Sequence, residues 1–341
     1  MSIERTATAG PATGNRDVFG QWRQWSRDYP NFVSLATTVA LLVAIVLIFT
    51  VINQRFVSLR NLGIVLNQSA AYIILGVGMT LVITTRGIDL SVGAMVAAIG
   101  TVVGVLLVTL KLPVIVAVGA GIACGALCGA FNGLCVAQFR VPPLIVTLGT
   151  MALFRGLAYV ALGHQILFGF PEDFLWLARG RILGVAPAVY LALIVAVFGY
   201  ALLNHTRLGQ HIIAVGGSEE AARLSGINVW RVKFLVYTIL GVLAALAAMV
   251  WVARLNSVQA AVAYGVEFHT IALVVLGGTS LFGGRGLIVG SVLGALILAA
   301  LENGLVLVGF TSFVQDVLLG LIFITVVAFR TIQFREGQIL R

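Results

Sequence analysis

Val65 to Leu110 reads VLNQSAAYIILGVGMTLVITTRGIDLSVGAMVAAIGTVVGVLLVTL, and this stretch decides the fold. It holds two apolar runs, about Val65–Thr85 and Ser91–Leu110, each near the roughly 20 residues that a helix needs to cross a hydrocarbon layer. Between them lies only TRGIDLS, Thr85–Ser91, where Gly87 permits a tight turn. Neither run shows the ten-residue alternation of an outer-membrane barrel strand. The stretch is therefore a helical hairpin that crosses a bilayer twice.

The whole chain agrees. Of its 341 residues, 60% are hydrophobic and only 10% charged, with a mean hydropathy of +1.08, whereas a soluble domain is about a quarter charged. The class is an all-α polytopic membrane protein. The 39 glycines suit helices whose backbones approach closely in lipid. A net charge of +9 raises nucleic acid as a partner, but the basic residues are scattered between apolar runs and form no stripe. They read as determinants of topology, with the lipid bilayer as the partner.

Working outward, residues 1–30 are polar and carry Arg5, Arg16, Arg23 and Arg27. The run Asn31–Ile52 exceeds the core of a cleavable signal peptide and is read as a retained anchor. FVSLRNLGIVLNQ is an amphipathic stretch expected along the outer interface. Beyond the hairpin the expected spans are Pro113–Gln138, then TLGTMALFRGLAYVAL after the Pro142–Pro143 break, then Pro187–Leu203, Phe234–Ala253, Thr270–Leu281, Leu287–Val308 and Ser312–Phe329. His164–Ala186 is the largest outer loop, and ARLNSVQAAVAYGVEF is expected to be an outer segment too. About ten spans then place both termini in the cytoplasm, with residues 330–341 as an inner tail. Arg and Lys divide roughly two to one in favour of the inside, as the positive-inside rule requires, with Arg155 and Arg254 among those given to the outer side. RGIDLSVGAMVAAI faintly repeats as RGLIVGSVLGALI six spans later, as parallel halves of a transporter do.

Several chemistries are missing. The two lysines, Lys111 and Lys233, are not preceded by glycine, so no phosphate loop exists. HExxH and GxSxG are absent as well, and the four histidines are scattered. Cys124, Cys128 and Cys135 share one face of an apolar helix with no histidine nearby and read as packing residues, not metal ligands. Catalytic residues and metal ligands are expected to be none. Among the acids, Glu267 and Asp316 fall near span ends and only Glu302 reads as intramembrane. Asp89 has two readings: a cap for the helix that follows, or an ionisable group facing a cavity.

One long polar interruption remains, NHTRLGQHIIAVGGSEEAARLSGINVWRVK, Asn204–Lys233. Gly216 and Gly217 break what precedes them, Ser218 can cap a new helix, and Glu219 and Glu220 occupy its favourable first turn. Gly226 ends it. Such a short punctuated helix is either a solvated connector or the place where a separate soluble motor takes hold.

Three segments carry a resemblance. TLVITTRGIDLSVGAM, TRLGQHIIAVGGSEEAARLSGINV and VVLGGTSLFGGRGLIVGSVLGALIL resemble, in order, the motifs of the ribose-type permeases of bacterial ABC sugar importers, over about Val57–Ala328. The resemblance implies a type II ABC importer-like permease bundle in the inner membrane, a second permease copy as homodimer or paralogue heterodimer, a cytoplasmic ABC ATPase and a periplasmic sugar-binding protein. ATP and magnesium would sit on the ATPase, and this chain would bind no cofactor. It also implies that Ser218, Glu219, Glu220, Arg223 and Gly226 form the coupling helix. Two motifs depart from the family pattern: Arg86 replaces the first glycine of Gly-Gly-Ile-Asp, and Glu267-Phe268-His269 replaces Glu-Leu-Asp.

A path for an uncharged sugar needs polar groups without a tight site. Asp89, Asn132, Thr147, Asn303 and Gln315 are the candidates, each with the alternative of a helix–helix hydrogen bond. The expected function is monosaccharide import; an ion-coupled carrier acting alone is the alternative from another class, and an intramembrane enzyme is disfavoured by the missing motifs.

Overall fold

A computed structural model describes residues 30–311 and, beyond them, 313–315, 317–318, 320–321 and 324–325. The expected inner N-terminal segment, Asp316, half of the span expected at Ser312–Phe329 and the tail from 330 lie outside the described residues. Among the described residues, eight helices are long and apolar enough to cross a membrane.

The hairpin is the core. Helix α1 is Pro30–Ile52; α2 is Leu59–Thr84; α3 is Val92–Gly104, prolonged by one π-helical turn over Val105–Thr109. Every residue of α2 from Ser69 to Thr84 is buried, as is nearly all of α3. A helix apolar on all sides must be surrounded by protein or lipid, and these two are surrounded by protein. The outer amphipathic stretch is shorter than the sequence suggests. A 3₁₀ turn covers Gln54–Val57, and Ser58 then caps α2 by accepting from the Asn61 amide, so the helix starts six residues before Val65.

Helix α4 (Val114–Ala137) and helix α5 (Pro143–Leu162) follow. α4 ends at Ala137, before the prolines, and Pro142 and Pro143 set the start of α5, because proline lacks the amide that a helix interior needs but fits its first turn; α5 is regular from its start. After strand β1 (Leu167–Phe168) and helix α6 (Glu172–Arg179) come α7 (Pro187–His205), α8 (Arg207–Gly217), α9 (Glu219–Leu224) and α10 (Val229–Leu255). Glycines 121, 125, 129 and 133 recur on every fourth residue of α4 and are buried. A methyl group on Gly125 would stand 2.3 Å from the Gly241 carbonyl oxygen, and one on Gly129 2.3 Å from that of Tyr237. The stripe thus lets α4 and α10 touch backbone to backbone. Cys124, Cys128 and Cys135 are free and half-buried beside it.

The last third corrects the expected layout. Strand β2 (Ser257–Val258) pairs antiparallel with β1, and helix α11 covers only Val266–Leu276 before α12, Ile288–Val308. The chain between β2 and α11 does not stay outside. Methyl groups on Gly100 and Gly104 would meet the Val258 side chain at 3.3 and 2.6 Å, while one on Gly93 would meet the Ala263 carbonyl at 2.6 Å. The segment therefore runs down α3 from Gly104 to Gly93, about 16 Å at 1.5 Å per residue. Its small side chains, Ala260, Val262 and Ala263, are buried there. α11 is a half-length helix that begins inside the bundle.

Candidate functional site

One end of the bundle carries an arm. Thr206 accepts from the Gly209 amide at 3.1 Å to cap α8, Ser218 from the Ala221 amide at 3.2 Å to cap α9, and Asn228 from the Arg231 amide at 3.0 Å to cap α10. Each cap satisfies an amide that the first helical turn leaves open. Gly226 closes α9 at φ +81°, a conformation glycine adopts at no steric cost. Of α9 only Ala222 is buried; Glu220, Arg223 and Leu224 are exposed, Leu224 at 81%. Glu219 pairs with Lys233 on α10. Beside the arm lies a cleft of about 720 Å³ whose lining includes Arg140, Pro142, Glu220, Arg223 and Trp230.

The arm is fastened to the core hairpin. A methyl group on Gly216 would lie 1.7 Å from the Thr84 carbonyl oxygen, which also accepts from the Gly284 amide at 2.9 Å. Gly216 therefore serves close contact as well as punctuation. Arg86, at φ 63°, donates from Nε to the Phe282 carbonyl at 2.9 Å and from Nη2 to that of Gly217. The residue that departs from the family pattern is thus the fork that joins the turn of the first half to the end of α8 and the glycine turn of the second half.

The expected path residues are all engaged by protein. Asp89 is fully buried; its Oδ1 accepts from the Ser91 amide at 2.8 Å and hydroxyl at 2.6 Å, its Oδ2 from Asn132 Nδ2 at 3.2 Å. Burial pushes its carboxyl above the usual carboxylate range, and the hydrogen bonds from Ser91 and Asn132 pull the other way. Asn132 also donates to Ser91 Oγ at 2.9 Å, and Thr147 donates to the Ile88 and Pro143 carbonyls at 3.2 and 2.9 Å. Asp89, Asn132 and Thr147 thus converge on one turn. Asn303 stands apart, accepting from Asn61 at 2.7 Å, and Gln315 donates to the Phe310 carbonyl at 2.8 Å.

Two polar groupings stand out: the intramembrane placement expected for Glu302 is met, while its partners and the surroundings of Arg155 were not foreseen. Glu302 accepts from Tyr72 Oη at 2.9 Å and from Gln68, with His269 3.8 Å away; the His269 ring is partly buried in the bundle. Arg155 donates from Nη1 to the Ala260 and Val262 carbonyls at 2.8 and 2.6 Å and sits 5.8 Å from the Tyr264 ring centre. It lies within α5, in the half toward Leu162. Glu267, expected at the interface, is 4% exposed against α3. An arginine in the middle of TMALFRGLAYVAL was the available signal, since charge is rare at membrane depth. Among the described residues no cluster of three or more His, Cys, Asp or Glu could hold a metal.

Membrane-length helices around a buried hairpin, a half-length helix that starts within them and a capped arm at one end define a multi-pass transport protein. Residues 61–327 match the family described as the permease component of the branched-chain amino acid transport system, and the chain belongs to this family of inner-membrane permeases. It is similar to the ribose import permease protein RbsC of Escherichia coli K12, 45% identical over 281 residues, covering 81% of this chain and 87% of that one. RbsC of Bacillus subtilis 168 is 40% identical over 84% of this chain and 89% of its own. The D-allose transport system permease protein AlsC of Escherichia coli K12 is 36% identical over 85% and 90%. No solved structure matches the chain. It is the membrane subunit of an ABC-type importer.

Proposed function

We propose that this chain forms the path by which a monosaccharide, a pentose such as ribose or a hexose, enters a bacterial cell. A periplasmic binding protein delivers the sugar, a second copy of the permease or a close paralogue completes the path, and a cytoplasmic ABC ATPase supplies the energy. The observation that carries this reading is the arm. α9 buries one residue, is capped at its start, and projects Glu220, Arg223 and Leu224 from an end rich in arginine. The positive-inside rule puts that end in the cytoplasm, where a soluble motor is available. The Gly216–Thr84 and Arg86–Gly217 contacts give a push on the arm a rigid route to the hairpin at the core.

The chain with its ATPase and binding protein in liposomes is the test. Sugar uptake is expected only with ATP and all partners present. Uptake by the chain alone, driven by a sodium or proton gradient, would replace this reading with that of an ion-coupled carrier.

A further inference from the structure

Arg155 stands twelve residues after Pro143, the first residue of α5, and seven before its last, Leu162. At 1.5 Å per residue it lies about 18 Å from one end and about 10 Å from the other, inside a hydrocarbon layer about 30 Å thick. At that depth the surface carries two polar side chains among exposed apolar ones such as Leu153, Leu157 and Phe268. The non-helical chain at 259–265 is held there by Arg155 through the Ala260 and Val262 carbonyls. Arg155 itself is half-buried, and Tyr264, within 5.8 Å of its guanidinium, is 82% exposed. Glu267 follows at the start of α11, with no hydrogen-bond partner for its Oε2 among the described residues.

Lipid tails offer no partner to a guanidinium or to the hydroxyl of an exposed phenol, so polar groups that reach the surface at membrane depth call for water or protein beside them. We propose that Arg155 and Tyr264 line the water-filled sugar path, at the level where the descending segment turns into α11. The Tyr264 ring offers a face to the C–H surface of a sugar. Arg155 keeps Nε and Nη2 for hydroxyl groups, its Nη1 being taken by the two carbonyls. One ring and one fork make a weak contact, which suits passage better than a tight site does. That sugar is the passenger rests on the importer reading; that the surface is wet does not.

The experiment uses the full transporter in liposomes, with Cys124, Cys128 and Cys135 changed to Ala. Tyr264→Cys is compared with Ile194→Cys, an exposed apolar position in the middle of α7, using a membrane-impermeant methanethiosulfonate. Tyr264→Cys is expected to react at least about tenfold faster, because the reactive thiolate forms in water and not in hydrocarbon. Equal rates would overturn the lining role whether or not the complex transports sugar. Separately, Tyr264→Ala is expected to slow ATP-driven uptake at least about tenfold and Tyr264→Phe to retain most of it, since the ring face is kept. Wild-type uptake by Tyr264→Ala would overturn the sugar contact, and failure of every variant and the parent to transport sugar would count against the importer reading alone.

Discussion

Gly216 shows how much can rest on a missing side chain. Its neighbours, the Thr84 carbonyl and the Gly284 amide, are both backbone, so neither can swing aside as a long side chain would. Gly216→Ala must push the arm off the hairpin, with an overpacking cost of roughly 1–3 kcal/mol. The expected outcome is a protein that inserts and purifies but unfolds at lower temperature in detergent and loses most ATP-driven uptake; wild-type values for both would remove the contact from the mechanism. The sequence marked Gly216 as a breaker but not as a contact, because its partner lies far along the chain. Asp89 is a similar case. Its bond to the Ser91 amide two residues on is a local turn contact and not the expected cap, since Ser91 is itself the first flanking residue of α3 and no side chain caps that helix; Asn132, 43 residues away, became its partner only through the packing of α4.

At the scale of the element, hydropathy located the long helices well because a membrane imposes their length, and their ends moved by only a few residues. It failed at 257–265. Alanine, valine and glycine look alike in an exposed loop and in a packed descent, and only the glycines of α3 reveal which it is. The arm was legible for the opposite reason, since caps and breakers act within three or four residues. That locality makes it testable. Gly226 sits at φ +81° and its amide donates to the Arg223 carbonyl at 3.0 Å, while proline has neither the conformation nor the donor. Gly226→Pro costs about 3 kcal/mol locally, more than the roughly 1 kcal/mol that the Ser218 cap returns to α9. Because α9 buries only Ala222, the bundle is expected to stay folded while ATPase binding in a pull-down and sugar uptake are both lost. Glu220→Arg reverses an exposed charge without touching the fold and should give the same phenotype. Retained ATPase binding in both variants would take the docking role away from α9.

At the scale of the whole molecule, the direction of the chain through the membrane decides what each end meets, and the two lysines offer a clean reading of it. Lys111 lies just past the π turn that ends α3 and is exposed; Lys233 lies beside α9, paired with Glu219. One span, α3, separates Lys111 from the turn to which the arm is fastened, so the two lysines belong to opposite faces. In a Lys233→Arg variant, Lys111 is the only lysine, and a membrane-impermeant amine reagent is expected to label it in intact right-side-out vesicles. Adding Lys111→Arg and Arg223→Lys moves that lone lysine to the exposed surface of α9, where labelling is expected only after the vesicles are opened. The reverse pattern would put the arm outside the cell, away from any ATPase, and would break the argument at its base, because a helix that meets no motor has no force to pass through Gly216 and Arg86 to the hairpin. Labelling as expected ties the arginine-rich end to the cytoplasm and leaves Lys111, β1 and β2 on the face where a sugar must arrive, above the segment that carries Tyr264 down along α3.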